Sequence, residues 1–169
     1  MRIRSAFGAL TVLVPAMLNG PALAAEKPVY LGGGVAVQSI PGGEDGTAAV
    51  FRGGAKLDEV LPGLGMEGEL TRSLVDPEAG GGRDVTFTSF AGYGVYTAPL
   101  PDRRVALRGR LGLALVDEDP EGRSSDSDLE VSWGLGGKLR ITSTVSAFVD
   151  YTRLSASLDH LTLGALARF

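Results

Sequence analysis

The chain has 169 residues, 16 of them basic and 20 acidic, for a net charge of −4, and it contains no cysteine. The acidic balance argues against nucleic acid, which needs a basic face, and the missing thiol excludes disulfides, thiolate metal sites, cysteine nucleophiles and a lipid-modified cysteine. Glycine reaches 25 residues, about twice the ~7% background, and beyond the first segment no run approaches the ~18 apolar residues of a membrane helix.

Residues 1–25 read as a secretory signal peptide: Arg2 and Arg4, an apolar run from Ala6 to Leu18, and an Ala-x-Ala site at Ala22-Leu23-Ala24. Removing them leaves 26–169, the length of one domain, with 14 basic side chains against 20 acidic and a mature charge of −6. From there the apolar residues recur at period two, the pattern of strands with one apolar face.

Eight such segments follow in order. Val29, Leu31, Val35 and Val37 alternate with Tyr30, Gly32, Gly34 and Gln38. Ala49, Phe51, Ala55 and Leu57 oppose Arg52, Gly54 and Lys56, and Leu64, Met66 and Leu70 oppose Glu67, Glu69, Thr71 and Ser73. The fourth sets Val85, Phe87, Ala91, Tyr93 and Val95 against Thr86, Thr88, Gly92 and Gly94. In the fifth, Val105, Leu107, Leu111, Leu113 and Leu115 oppose Arg108, Arg110, Gly112 and Ala114. Leu129, Val131, Trp133, Leu135, Leu139 and Ile141 then oppose Glu130, Ser132, Gly134, Gly136, Lys138 and Arg140. The seventh sets Val145, Ala147, Val149 and Tyr151 against Ser146, Asp150 and Thr152, and the last Leu161, Leu163, Ala165, Ala167 and Phe169 against Thr162, Gly164 and Arg168.

Short links (58–63, 99–102, 142–143) alternate with mostly longer polar ones (39–46, 76–84, 117–128, 155–160). This predicts an all-β, eight-stranded antiparallel up-and-down barrel with its long loops at one end. A soluble ligand-binding barrel shares that strand count but turns its apolar side inward. Glycine favours the opposite arrangement. The polar parity carries Gly32, Gly34, Gly54, Gly92, Gly94, Gly112, Gly134, Gly136 and Gly164, and small residues suit the narrow interior of an eight-stranded barrel. The aliphatic face is therefore assigned to lipid.

The motifs 29–35 (Val-Tyr-Leu-Gly-Gly-Gly-Val), 96–102 (Tyr-Thr-Ala-Pro-Leu-Pro-Asp), 110–114, 133–139 and 145–151, together with the terminal Phe169, resemble the small outer-membrane β-barrel proteins of Gram-negative bacteria, of the OmpA/OmpX and opacity-like, porin-family kind. The resemblance spans the mature chain. It implies an outer-membrane location, contact with lipid and lipopolysaccharide, and reading of Phe169 by the barrel-assembly machinery. It implies no cofactor, and no peptidoglycan-binding half is expected after the barrel.

The inward parity should carry a charge network of Arg52, Lys56, Glu67, Glu69, Arg108, Arg110, Glu130, Lys138, Arg140 and Asp150, with Arg168 beside it. Arg52 is expected opposite Glu69, and Glu67 diagonal to Lys56. Because a lone buried charge is costly, these groups should pair and plug the lumen. An ion path constricted at Arg108 and Arg110 is the alternative. The long links hold twelve acidic residues against Arg83 and Arg123, a rim of −10. Of these, Asp117, Glu118, Asp119 and Glu121 offer oxygen ligands for Ca²⁺ or Mg²⁺. Arg72 and Arg153 interrupt the apolar parity near the long-loop end, where they could snorkel or meet lipid A phosphates. His160, near Ser155, Ser157 and Asp159, invites a lipid A hydrolase reading. Its His160-Leu161-Thr162 context departs from the His-x-Ser pairing of lipid A deacylases, so a loop histidine at a strand start, in a monomeric, non-enzymatic barrel, is preferred.

Overall fold

The computed structural model describes residues 29–79, 83–102, 104–120 and 126–169; the leader assigned to 1–25 lies outside them. Its strands are β1 (Val29–Ser39), β2 (Gly46–Lys56), β3 (Leu64–Val75), the two-residue β4 (Glu78–Ala79), β5 (Arg83–Pro99), β6 (Val105–Pro120), β7 (Asp126–Arg140), β8 (Val145–Arg153) and β9 (Asp159–Arg168). Eight of these form the barrel, each antiparallel to its neighbours, with β1 pairing β9 and β3 pairing β5 to close the ring. β4 pairs with β5 outside it, and its Glu78 also bridges Glu44. Closure satisfies the backbone without a free edge, as a strand structure in lipid requires. The last residue is tied to the seam, Phe169 N–H donating to Val29 O at 3.0 Å.

The aliphatic parity faces outward. Phe51, Leu111, Leu135 and Leu163 are all more than 60% exposed, whereas Arg52, Glu69, Arg108, Arg110 and Asp150 are at most 4% exposed. That is the reverse of a soluble barrel. No helix among the described residues could cross a membrane; the strands do so.

One strand departs from expectation. In β5 the set Val85, Phe87, Ala91, Tyr93 and Val95 is buried inside, while Phe90 and Tyr96 point out, taking Gly92 and Gly94 with them. The register with β3 explains this: Leu70 lies opposite Phe90, Glu69 opposite Ala91 and Glu67 opposite Tyr93. Directly paired residues share a face, so once Glu67 and Glu69 turn inward, Ala91 and Tyr93 must follow. β5 carries apolar residues on both parities, and counting them picks the wrong one.

The inward glycines have a more specific role than general narrowness. Each of three inward-facing aromatics, the half-buried Tyr30 and the buried Tyr93 and Phe148, faces a glycine on the next strand: Tyr30 opposite Gly54, Tyr93 opposite Gly112 and Phe148 opposite Gly164. A Cβ added at Gly164 would lie 2.6 Å from the Phe148 ring, whereas one at the lipid-facing Gly92 meets nothing within 4 Å. Gly164→Ala should therefore lower stability by about 1–3 kcal/mol through overpacking. Gly92→Ala should leave it unchanged, both read as unfolding midpoints in detergent. Equal effects would refute the packing role.

The strands are also unequal. β5, β6 and β7 have 17, 16 and 15 residues, beyond the ~9–11 that cross a bilayer, so they continue past it as a ribbon. Much of the segment 117–128, expected as a loop, is therefore paired strand, with Asp117 opposite Ser127 and Val116 opposite Asp128. Ladder pairing needs no apolar period, and hydropathy does not mark where it ends. At the other end, Gly63 adopts φ 88° and donates its N–H to Asp58 Oδ1 at 2.9 Å. That bond, helped by Lys56, holds the Asp58 carboxyl below its ordinary pKa.

Candidate functional site

The lumen is built in layers, and the middle one is ionic. Arg52 from β2, Glu67 and Glu69 from β3, Arg108 and Arg110 from β6 and Asp150 from β8 meet there, three cations against three carboxylates. Arg52 Nε donates to Glu69 Oε2 and its Nη1 to Asp150 Oδ2, both at 2.5 Å. Arg108 spans Asp150 Oδ2 at 3.1 Å and Glu67 Oε2. Arg110 Nη1 reaches Glu69 Oε2 at 2.7 Å and Glu67 Oε1 at 3.0 Å, and its Nη2 meets Thr152 Oγ1.

Aromatic rings complete the layer. The Arg52 guanidinium lies 4.3 Å from the Phe148 ring centroid and that of Arg110 4.5 Å from Tyr93. Tyr30 OH donates to Glu67 Oε2 at 2.9 Å. Each charge is costly alone in this setting, and each is compensated by at least two opposite partners.

Towards the long-loop end the lumen becomes polar and then apolar. Ser73 Oγ donates to Gln38 Oε1 at 2.7 Å, and Gln38 Nε2 lies 3.0 Å from His160 Nε2. Beyond them Val85, Phe87, Val116, Leu154 and Leu158 form a buried cluster, with Ile40 packed against it. Leu154 and Leu158 come from the β8–β9 hairpin tip, closed by Leu154 N–H to Leu158 O at 2.9 Å. The polar-looking link thus folds two leucines into the mouth.

Several candidates from the sequence lie elsewhere. Arg52 sits opposite Glu69, as its spacing predicts, but Lys56 turns to Asp58 at 3.4 Å rather than to Glu67, whose oxygens are held by arginines from across the lumen. Glu130 Oε2 accepts from Ala156 N at 2.8 Å, and Lys138 and Arg140 stand towards the short-turn end. Arg72 is exposed, and Arg153 lies 3.7 Å from Asp159.

Asp117 accepts from Ser127 Oγ at 3.3 Å, and Glu121 lies outside the described residues. Among those residues no group of three His, Asp or Glu side chains could hold a metal. His160 stands at a strand start, as the second residue of β9, but it is 1% exposed rather than carried on an open loop. Its Nε2 faces Gln38, and its Nδ1 has no partner among the described residues, so the serine–histidine bond of nucleophilic catalysis is not assembled.

Reasoning from sequence missed Tyr93, Phe148 and Thr152 as partners of the charges. The glycines placed opposite the two aromatics were the available signal, since an aromatic ring commonly covers a cross-strand glycine.

A lumen filled with paired charge inside a closed, aliphatic-faced ring is the arrangement of a membrane barrel. The family model for the outer membrane protein beta-barrel domain matches residues 10–169. The chain belongs to that family. It is an outer-membrane protein of the Gram-negative type. Comparison of the sequence with curated proteins gives no match.

Among solved structures, this outer-membrane barrel resembles Ail, the attachment invasion locus protein of Yersinia pestis, at 17% identity and TM-score 0.58, covering 85% of this chain and 99% of that one. It also resembles Neisserial surface protein A (18%, TM-score 0.57, 84% and 96%) and the N-terminal barrel of Pseudomonas aeruginosa OprF (13%, TM-score 0.58, 85% and 98%). Ail has also been solved with the heparin analogue sucrose octasulfate. At these identities the likeness concerns the fold.

Proposed function

We propose that this barrel acts structurally and through its surface, with a lumen that conducts no steady current. The six-membered charge network carries this reading: its charges balance internally, and the apolar cluster of Phe87, Leu154 and Leu158 seals the mouth above it. Planar-bilayer recording of the refolded protein tests it. A closed trace is expected, and a steady conductance that disappears in Arg108→Gln/Arg110→Gln would establish the ion path instead.

On the outer surface, Arg72 and Arg153 supply positive charge to lipid A phosphates, and Phe169 presents the terminal aromatic to the assembly machinery. Phe169 is 78% exposed, which leaves its ring available. The acidic ribbon including Asp117 and Asp128 would gather divalent cations or basic partners. Because its charge is negative, a polysulfate of the kind solved with Ail would be repelled there. The molecule acts as a monomer without catalytic chemistry, in keeping with the engagement of His160 by Gln38.

A further inference from the structure

The end of the lumen that carries the short turns holds a cavity of about 390 Å³ whose charge does not balance. Lys56, Arg104, Lys138, Arg140 and Arg168 line it, and Asp58 is the one carboxylate among its lining residues. Lys56 is paired with Asp58, and Arg168 Nη2 donates to Ser143 O at 2.7 Å. The side chains of Arg104, Lys138 and Arg140 make no hydrogen bond or ion pair with any described residue.

No compensation comes from below, because Glu67 and Asp150, beneath the cavity's inner end, are already held by Arg108. Five cations brought towards one concave, partly apolar space repel each other more than they would on an open surface. Arginine forks are suited to bidentate capture of oxyanions.

We propose that this vestibule binds a polyvalent oxyanion, a solute or headgroup carrying two or more phosphate or carboxylate groups. Lys138 and Arg140 make the central contacts, and Arg104 and Arg168 close over the anion from the rim. In barrels of this kind the short turns lie on the periplasmic side, so the ligand arrives from the periplasm or from the inner leaflet. The site is independent of whether the lumen conducts.

The test uses inorganic pyrophosphate and the full barrel refolded in phosphatidylcholine nanodiscs. Calorimetry should show saturable binding to the wild type that weakens about tenfold or more in Lys138→Met/Arg140→Gln, the effect of losing two charge-assisted contacts. Arg123→Gln, which removes a charge from the long link between β6 and β7, should leave it unchanged. NMR signals of the Lys138 ammonium and Arg140 guanidinium should move on titrating the wild type, which keeps the test valid if the double variant folds poorly.

Absence of binding, equal weakening in both variants, or shifts confined to other residues would overturn the proposal. Replacing part of the lipid with cardiolipin, whose headgroup carries two phosphates, then identifies the source. Competition with pyrophosphate assigns the site to a lipid headgroup, and unchanged affinity assigns it to a soluble anion.

Discussion

Arg110→Met is expected to destabilise the barrel by about 3–5 kcal/mol, the loss typical of breaking a buried ion pair from one side. The substitution keeps most of the side-chain volume but leaves Glu67 and Glu69 short of a shared partner and removes the bond to Thr152. The remaining layer would hold two cations against three carboxylates. Adding Glu69→Gln restores the balance, with Arg52 and Arg108 facing Glu67 and Asp150. The double variant should therefore be more stable than the single one, a non-additivity that direct contact predicts. Urea midpoints in lipid vesicles and the boiling-dependent shift in gel migration measure both. A single-variant loss below about 1 kcal/mol, the range of a surface pair, would show that the network does not fill the lumen as described.

Leu163→Arg should cost a further ~2–4 kcal/mol by a different route, the transfer of a charge to the lipid face near the bilayer midplane. Leu163 lies midway along β9, between Val35 and Val149, and all three project outward. In water an outward arginine would be harmless and would aid solubility, so the same substitution separates the two environments. Impaired folding into vesicles is the expected result. Unchanged folding, with wild-type protein that dissolves without detergent, would return the chain to the soluble class.

Period two is a local property, and it was legible wherever one parity was clearly apolar. β6 and β7 are examples, with Leu111, Leu113, Val131 and Leu135 outside and Arg108, Arg110 and Ser132 inside. The pairing of Arg52 with Glu69 was equally readable, because it depends only on a short hairpin between adjacent strands. β5 was not, since apolar residues occupy both of its parities and only the neighbouring register chooses between them.

Contacts across the lumen were also out of reach. Arg52 and Asp150 are separated by 98 positions and meet because the ring closes with a particular circumference and stagger, quantities that no stretch of residues encodes alone. The same closure turns Leu154 and Leu158 into a seal and leaves Lys138 and Arg140 around an uncompensated cavity. The alternation determined that the chain forms an up-and-down barrel, and the glycines on its polar parity indicated which side meets lipid. Tertiary closure decided which charges cancel in the lumen and where positive charge is left over, because electrostatic partnership depends on distance through space.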